Sequence, residues 1–312
     1  MALLPKPHSP TVEAILTAYE ADAGSGFRPH LGASLIGKEC ERSLWLDFRW
    51  TVRASFGGRM LRLFETGQLE ETRLIRNLRR IGVTVLDVDP HTGRQWRVES
   101  CNGHFGGSLD AAAVGVPEAP KTWHVCEFKT HNAASFAELR KEGVKKSKPQ
   151  HYAQMQIYMH LTGMSRALYL AVNKDTDHLY SERLHADEAD GLRLIAKAER
   201  IIRADRPPAR ISSDPSWYQC RMCHHYPLCH EDFPAQRNCR TCLHATPAEI
   251  GLWLCAPAER LMAIDAQKEG CSRHLFIPDL VDGEQIDADP AAGWVEYRLP
   301  DGSLWRDGGA AC

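Results

Sequence analysis

Three charged residues in the middle of the chain have the types and spacing of a metal-dependent hydrolytic site. Asp110 ends the segment GGSLD, and Glu127 and Lys129 follow in VCEFKT. Side chains alternate along a strand, so Glu127 and Lys129 would face the same side. If the strand that Asp110 closes is a neighbour, both carboxylates can bind one Mg²⁺ or Mn²⁺ ion, because hard cations prefer oxygen ligands. Lys129 would then offset charge that develops on a scissile phosphate.

The same residues have an ordinary explanation. The pattern E-x-K is common by chance, and both charges can belong to the solvent-facing side of an edge strand. The surrounding segment WHVCEFK is apolar enough for a central strand, however. Inward-facing charges are costly in such a strand unless they serve a purpose, so the hydrolytic site is the favoured interpretation.

A second pair of polar residues follows in KPQHYAQMQIYMHLTG. Gln154 and Tyr158 are four residues apart on a predicted helix, and therefore share one face. They can contact a phosphate or an unpaired base beside the metal. The alternative is a core helix with a buried, hydrogen-bonded pair.

The segment SWYQCRMCHHYPLCHEDF is rich in metal-ligating side chains. Its thiols form the pattern C-x2-C-x5-C, with Cys220, Cys223 and Cys229, and three histidines stand beside them: His224, His225 and His230. Three thiols are most of a metal site, but such sites usually need four ligands. The segment alone leaves the fourth ligand open.

A second set of ligand types follows directly. Cys239 and Cys242 form C-x2-C, Cys255 follows, and Cys271 and His274 form C-x2-H. This arrangement predicts a zinc site built from four of these five residues, with His244 as a further possible ligand. The alternative is a scatter of buried cysteines.

The bulk composition fits a globular protein. The chain has 312 residues, of which 43% are hydrophobic and 25% charged, so it can bury a substantial core. The net charge of −2 gives no global attraction for nucleic acid, although a local groove can still be basic. Eleven cysteines without an export signal or a membrane-spanning stretch indicate a reducing compartment, by default the cytoplasm.

The hydrophobic periodicity predicts an α/β fold with a central mixed sheet flanked by helices. Helices are expected at about 10–22, 33–48 (with Cys40 in its middle), 59–81 (with Leu63 facing inward), 133–143, 150–162 and 187–204. Strands are expected in the segments GVTVLDVD, RQWRVES, GHFGGSLDAAAVG, KTWHVCEFKT, RALYLAVNK and HLYSERL. Two domains are predicted, residues 1–230 and a small Cys-rich module at 231–312 that ends in a hairpin.

The order Asp, E-x-K and Q-x3-Y resembles the PD-(D/E)XK nucleases, specifically the RecB-like branch, which is similar to the phage lambda-type exonucleases. The family places an acidic residue ahead of these motifs in G-x3-E form. Here FETGQLEETRLI gives Gly67 and Glu71, with Glu70 as a rival. Leu109 stands where the family name has proline, but Gly107 and Asp110 fit the Gly-x-x-Asp strand of the RecB-like branch.

The resemblance implies a restriction-endonuclease-like core and assigns roles to six residues. Glu71, Asp110 and Glu127 would be metal ligands, Lys129 the catalytic lysine, and Gln154 and Tyr158 the substrate-side motif. It implies a Mg²⁺- or Mn²⁺-dependent exonuclease acting on DNA ends or single strands in recombination, repair or phage DNA processing. A recombination or single-strand-binding protein is a possible partner. The alternatives are a structure-specific or restriction-like endonuclease and a non-catalytic DNA-binding or assembly subunit.

The resemblance also supplies a fourth ligand for the first thiol set. Some RecB-like nucleases, including the AddB and CRISPR-adaptation types, hold an iron–sulphur cluster with one cysteine from ahead of the core and three from behind it. Carried over, the ligands of a [4Fe–4S] cluster would be Cys40, Cys220, Cys223 and Cys229. Such a cluster would clip the two ends of the core together. Zinc held by the last three and a nearby histidine is the competing interpretation.

Two basic groups can contact a phosphate backbone. One is on the helix at 59–81, with Arg73, Arg76, Arg79 and Arg80, and the other contains Lys141, Lys145, Lys146 and Lys148. The arginines are typical of a solvated helix face. The lysines lie just ahead of Gln154 and are better placed for DNA, which would make binding sensitive to salt.

Overall fold

The computed structural model describes residues 9–24 and 26–309. Its α-helices are α1 (Pro10–Ala21), α2 (Glu41–Phe48), α3 (Gly58–Arg80), α4 (Ala133–Ser147), α5 (Pro149–Thr162), α6 (Glu188–Arg203), α7 (Tyr218–Arg221) and α8 (Tyr226–His230). Its strands are β1 (Leu31–Gly32), β2 (Thr84–Leu86), β3 (Arg97–Ser100), β4 (Phe105–Ser108), β5 (Ala111–Val114), β6 (His124–His131), β7 (Arg166–Asn173), β8 (Leu179–His185), β9 (Ala245–Pro247), β10 (Trp253–Cys255), β11 (Arg260–Met262), β12 (Glu284–Asp289), β13 (Trp294–Arg298) and β14 (Leu304–Gly308).

A five-stranded sheet with the order β2-β5-β6-β7-β8 forms the centre of the fold. Strands β6 and β7 pair in parallel, and the other neighbours pair antiparallel. This confirms the predicted α/β class with a mixed sheet. A parallel pair needs a long crossover, and α4 and α5 supply it between β6 and β7.

Helices cover both faces of this sheet. On one face, Leu74 and Leu78 of α3 pack with Phe128 of β6 in one buried cluster. On the other face, α4 and α5 pack over β7, whose Tyr169 is completely buried, and α6 packs on α5. Burial on both faces explains why β7 has the continuous apolar sequence RALYLAVN rather than an alternating one. Successive residues of β6 therefore face α5 and α3 in turn.

Three details of the predicted elements are wrong. The helix expected at 33–48 is a short 3₁₀ turn (Ala33–Leu35) followed by α2, and Cys40 is the N-cap of α2 rather than a residue in mid-helix. The segment GHFGGSLDAAAVG contains two strands in different sheets, so that Asp110 precedes β5 instead of closing a strand. Leu63 of α3 is 36% exposed rather than inward-facing, because the buried residues of that helix lie nearer its two ends.

The C-terminal part contains two small antiparallel sheets, β9 to β11 and β12 to β14. The predicted terminal hairpin is confirmed, since β13 and β14 pair antiparallel around the turn at 299–303. Arg240 is completely buried and donates hydrogen bonds to the carbonyl oxygens of Pro29 and Phe48, so this part shares a core with the N-terminal residues. Within residues 9–24 and 26–309, no helix combines the length and apolar character needed to cross a membrane.

Candidate active site and cysteine clusters

The structure brings Asp110, Glu127 and Lys129 together at the start of the β5–β6 pair. Ala111 of β5 lies opposite Cys126 of β6, which places Asp110 beside Glu127. The backbone N–H of Phe128 donates to Asp110 Oδ2 at 2.7 Å. Lys129 Nζ forms an ion pair with Glu127 and lies 4.0 Å from Asp110 Oδ2. Two carboxylates and one ammonium group therefore share a single small site.

Glu127 is completely buried. Apart from its contact with Lys129, neither of its carboxylate oxygens has a hydrogen-bond partner in the part of the chain that the structure describes. Burial raises the pKa of Glu127 to about 8, an effect that Lys129 opposes and the Asp110 charge reinforces. Burial likewise raises the pKa of Asp110. Buried carboxyl oxygens without partners are costly unless a cation is bound, so this site fits a hard metal ion.

Glu71 on α3 adds a third carboxylate. Gln95 Nε2 donates to Glu71 Oε1 at 2.9 Å. Burial, and next the charge of Asp110, raise the pKa of Glu71 to about 7. Glu70, the rival in the sequence, instead forms an ion pair with Arg73 at 3.3 Å on the same helix. The structure therefore directs Glu71, and not Glu70, toward the acidic site.

Gln154 and Tyr158 lie on the face of α5 that covers this site. Both are buried, and Gln154 Nε2 donates to Tyr158 Oη at 3.3 Å. Burial, and then the charge of Glu127, raise the pKa of the Tyr158 hydroxyl. The hydroxyl is close to β4, where a Cβ added to Gly107 would lie 2.5 Å from Tyr158 Oη. The predicted motif therefore faces both the acidic site and the strand that leads to Asp110.

A cavity of about 280 Å³ lies next to the Gln154–Tyr158 pair. The polar side chains that line it with this pair are Arg28, His30, Ser34, Gln95, Arg97 and Ser108. Sequence reasoning missed these residues, since they come from separate segments and no spacing connects them. The nearest signal was the glycine pair Gly106–Gly107, which lines the cavity floor. Two guanidinium groups beside an acidic metal-type site suit a phosphate-bearing substrate.

Cys40, Cys220, Cys223 and Cys229 line a second cavity of about 580 Å³. Burial raises the pKa of the Cys220 thiol, and the other three cysteines raise it further, so the four thiols lie in one electrostatic neighbourhood. Arg42 donates to Cys229 and, with Arg210, lowers the pKa of that thiol against the larger effect of burial. The structure therefore joins the N-cap of α2 to α7 and α8 around a space that can hold an anionic group.

The histidines beside this cavity are held by a carboxylate. His224 Nε2 and His225 Nε2 lie 2.8 and 3.0 Å from Asp47 Oδ1. Among the described residues, these are the three ligand atoms that all lie within 4.8 Å of one another. Lys38 Nζ is 3.2 Å from the other Asp47 oxygen, however, and an ammonium group there disfavours a second cation. Hydrogen bonds to Asp47 therefore explain why these three side chains lie together, and both imidazole rings are turned toward Asp47.

The second thiol set surrounds a much smaller cavity of about 20 Å³. Its four cysteines interact electrostatically: burial, and next the charges of Cys242, Cys271 and Cys255, together raise the pKa of Cys239 to about 11. His274 is buried, and its Nε2 lies 3.3 Å from the Thr241 hydroxyl. Of the five candidates, the four thiols therefore form the more closely coupled set.

The predicted basic groups are largely paired with acidic side chains. Arg73 bonds to Asp177, and Arg79 bonds to Asp87. Lys148 bonds to Glu138 at 2.6 Å, and Lys145 lies over the Tyr152 ring at 4.8 Å. Lys141 and Lys146 share the remaining acidic partner, Glu142. DNA binding by the lysines would therefore exchange these exposed ion pairs for phosphates.

No family model and no curated protein matches the sequence. Among solved structures, the chain is similar to an alkaline exonuclease (LHK-Exo) from Laribacter hongkongensis, also solved in complex with dAMP. The TM-score is 0.41 and the identity 18%, over 61% of this chain and 90% of that one. A structure described only as SSO0001 gives 0.44 and 14%, over 72% and 98%. A phage-related exonuclease from Haemophilus somnus 129PT gives 0.38 and 14%, over 55% and 92%.

Proposed function

We propose that this protein is a metal-dependent DNA nuclease that hydrolyses phosphodiester bonds as an exonuclease. The observation that carries the proposal is Glu127. Among the residues that the structure describes, this completely buried carboxylate has no hydrogen-bond partner other than Lys129, and the charges of Asp110 and Glu71 act on it. Such an arrangement is unfavourable in the empty protein and favourable when a divalent cation binds.

The side chains of the site divide the chemistry among them. Glu71, Asp110 and Glu127 would hold a Mg²⁺ or Mn²⁺ ion, which when bound supplies Lewis-acid stabilisation of a phosphate oxygen. Lys129 stays protonated, because Glu127 and Asp110 raise its pKa against the opposing effect of burial. Its ammonium group can therefore offset the charge that develops on the scissile phosphate.

The cavity beside the site favours a nucleic-acid substrate. The hydroxyl of Tyr158 keeps its proton, since burial raises its pKa, and it can donate to a phosphate oxygen together with Gln154. Arg28 and Arg97 line the same cavity and are suited to phosphate oxygens. The reason for proposing an exonuclease is the small size of this cavity, about 280 Å³, which suits a strand end better than a continuous duplex.

The two thiol sets differ in the room they enclose. We propose a [4Fe–4S] cluster in the larger cavity of about 580 Å³, whose four thiols need no histidine because His224 and His225 are held by Asp47. A single zinc ion suits the second set, since zinc–sulphur bonds of about 2.3 Å leave little enclosed space. That set encloses about 20 Å³.

Degradation of DNA tests the catalytic proposal. We expect wild-type protein with Mg²⁺ or Mn²⁺ to degrade linear DNA but not closed circular DNA. Lys129→Ala and Asp110→Asn should lower the rate by roughly 10²-fold or more, as expected when a group that stabilises the transition state is removed. Lys121→Ala, at an exposed site, is the control. No cleavage by the wild type would sink the nuclease proposal, and cleavage of circles would favour an endonuclease.

Iron and sulphide analysis tests the cluster. Protein purified anaerobically should be brown and contain iron and sulphide, and Cys40→Ser should lose both. Retention of the cluster by Cys101→Ser, at a cysteine outside both sets, is the matched control. Colourless protein that contains only zinc would contradict the assignment of the larger cavity.

A further inference from the structure

A chain of hydrogen bonds runs beside the proposed catalytic lysine and is not explained by the metal site. His131 Nδ1 lies 2.9 Å from the Ser135 hydroxyl, and His131 Nε2 lies 2.8 Å from Tyr169 Oη. The same Tyr169 oxygen lies 2.9 Å from His151 Nδ1. The chain Ser135–His131–Tyr169–His151 thus connects α4, β6, β7 and α5.

The chain lies along the face that carries the proposed active site. His131 follows Lys129 by two residues on β6, so both point toward α5. His151 precedes Gln154 by three residues and Tyr158 by seven, so all three share one face of α5. Tyr169 lies opposite Glu127 in the pairing of β6 with β7. The hydrogen-bonded chain of four side chains therefore lies directly beside the proposed acidic site.

Both imidazole rings are neutral in this setting. Burial, and next the charge of Lys148, lower the pKa of His131 to about 4. Burial, and next the charge of Lys129, lower the pKa of His151 to about 3. Each ring therefore carries one proton at neutral pH and can serve as donor at one nitrogen and acceptor at the other.

One ring nitrogen of the hydrogen-bonded chain has no partner among the described residues. His151 is partly exposed, and its Nε2 makes no hydrogen bond and is not enclosed within the part of the molecule that the structure describes. The charges of Lys129 and Lys148 both act on this ring, and each lysine is also ion-paired, with Glu127 and Glu138 respectively. A partner that enters beside the ring N–H and these two ammonium groups has to accept hydrogen bonds, and a phosphate oxygen does so.

We propose that His151 Nε2–H donates to a non-bridging oxygen of a backbone phosphate next to the scissile one. His151 lies near the start of α5, whereas Gln154 and Tyr158, which line the arginine-lined cavity, lie further along the same helix, so the two phosphate contacts would be separate. Tyr169, His131 and Ser135 are positioning residues for this donor. The inference rests on the proposed nuclease function. It adds a contact to a second phosphate, which belongs to the part of the substrate strand that continues beyond the scissile bond.

The hydrogen-bond directions of the chain are consistent with this role. A phosphate oxygen only accepts, so Nε2 of His151 must carry the proton and Nδ1 must accept from the Tyr169 hydroxyl. The Tyr169 oxygen then accepts from His131 Nε2–H, and His131 Nδ1 accepts from the Ser135 hydroxyl. Within the chain, each hydroxyl or ring N–H donates to one acceptor. The Nε2–H of His151 is the donor that has no acceptor within the chain, so it is the group available to the phosphate.

Methylphosphonate substitution tests the proposal directly. Binding of DNA oligonucleotides, each with one backbone phosphate replaced by a neutral methylphosphonate, is measured for wild type and His151→Ala in Ca²⁺. With unmodified DNA we expect His151→Ala to weaken binding by about ten- to hundredfold, the usual effect of losing a hydrogen bond to a charged group. At a single phosphate position, the methylphosphonate should abolish that difference.

Two further variants separate this role from a structural one. His151→Gln keeps an N–H donor and should recover part of the lost binding, whereas Tyr169→Phe should weaken binding at the same phosphate by a smaller factor. His160→Ala, on the same helix but packed against Gly191, should leave the pattern unchanged. An equal effect of His151→Ala at every phosphate, or no effect in protein that still cleaves DNA, would overturn the inference. Absence of cleavage by wild type would instead overturn the proposed function.

Discussion

The Glu127 carboxylate is completely enclosed between β6 and α5, where burial raises its pKa to about 8. A carboxyl group in an ordinary solvated position would lose its proton well below neutral pH. In the metal-free protein, this side chain must therefore either keep its proton or remain charged in a poorly solvated site. Both choices disfavour the folded state at neutral pH, and a bound cation would remove the conflict.

The pH dependence of stability follows from this shift. Because the pKa of Glu127 is raised on folding, the folded state binds more protons than the unfolded state between about pH 4.5 and pH 8. The stability of the metal-free wild type should therefore be fully present below this window and fall as the pH rises through it. Urea unfolding with a chelator, measured at several pH values, checks the slope. A stability that rises across the window would contradict it.

Replacing Glu127 by glutamine should separate stability from activity. In the metal-free protein at pH 8, Glu127→Gln should raise the melting temperature by roughly 2–8 °C, since the amide carries no charge to desolvate. The same variant should lose nuclease activity and most of the stabilisation that Mg²⁺ or Mn²⁺ gives the wild type. Calorimetry with and without metal measures both effects, and Glu118→Gln, at an exposed site, is the control.

The proposed zinc site of the second thiol set can be tested residue by residue. Cys271→Ser should lower the zinc content by one ion per chain and lower the melting temperature. His274→Gln should retain the metal, because His274 is directed toward the Thr241 hydroxyl. Elemental analysis of both variants distinguishes them. Loss of zinc in His274→Gln with retention in Cys271→Ser would reverse the assignment.

At the scale of elements, close approach between β4 and α5 positions the Tyr158 hydroxyl. Gly107 makes this approach possible, because a Cβ there would lie 2.5 Å from the Tyr158 oxygen. Gly37 does the same at the start of α5, where a Cβ would lie 2.6 Å from Gln150 Cα. These two glycines therefore set how tightly α5 sits over the site.

Substitution of Gly107 should displace Tyr158. We expect Gly107→Ala to lower the free energy of unfolding by about 1–3 kcal/mol, as in other overpacked cores, and to reduce cleavage. Tyr158→Phe removes the atom that clashes, so the double variant should regain much of the stability but not the activity. Chemical denaturation and cleavage rates provide the two readings. Additive losses of stability in the double variant would contradict the contact.

The sequence predicted these elements well where hydrophobic periodicity was strong. Bounds of α3, α5 and β7 came close, because each has a clear apolar pattern between turn residues. The prediction of one helix at 33–48 was wrong. Leu35, Leu44 and Trp45 have the spacing of a single helix, although the helical structure is interrupted between Leu35 and Leu44. Gly37, needed for contact with α5, was the available signal for that break.

The candidate site was predicted in part. Local spacing alone indicated Asp110, Glu127 and Lys129, whereas Glu71 came only from the resemblance to the PD-(D/E)XK nucleases. Their catalytic roles remain predictions. The cavity residues Arg28 and Arg97 could not be predicted, since only the tertiary fold brings β3 and the segment before β1 to the same place.

Across the whole molecule, two buried arginines tie the C-terminal residues to the first helices of the core. Arg240 stacks on the Trp50 ring at 3.6 Å and donates to Gln267 Oε1 at 2.9 Å. Arg49 donates to the carbonyl oxygens of Arg240 and Ala245. Burial lowers the pKa of both guanidinium groups, so hydrogen bonds and aromatic rings must hold them.

Removal of one of these arginines should destabilise the whole protein. Arg240→Ala leaves several buried carbonyl oxygens without donors, and we expect it to lower the free energy of unfolding by about 3 kcal/mol or more. Arg298→Ala, which breaks an exposed ion pair with Glu284, should change it by about 0.5 kcal/mol or less. Urea denaturation of both variants compares them. A small effect of Arg240→Ala would show that this contact is not a principal tie.

The cysteines of the larger cavity come from sites far apart along the chain, and this has a consequence for biosynthesis. Ser43, beside Cys40, and Cys223 are 180 residues apart and meet only in the finished fold. At typical translation speeds of about 5–20 residues per second, Cys40 leaves the ribosome about 10–40 seconds before Cys223 does. During that interval the other three cysteines of its set have not yet been made. Loading of the proposed cluster would therefore have to wait until Cys229 has been synthesised, and it would report that both ends of the core have come together.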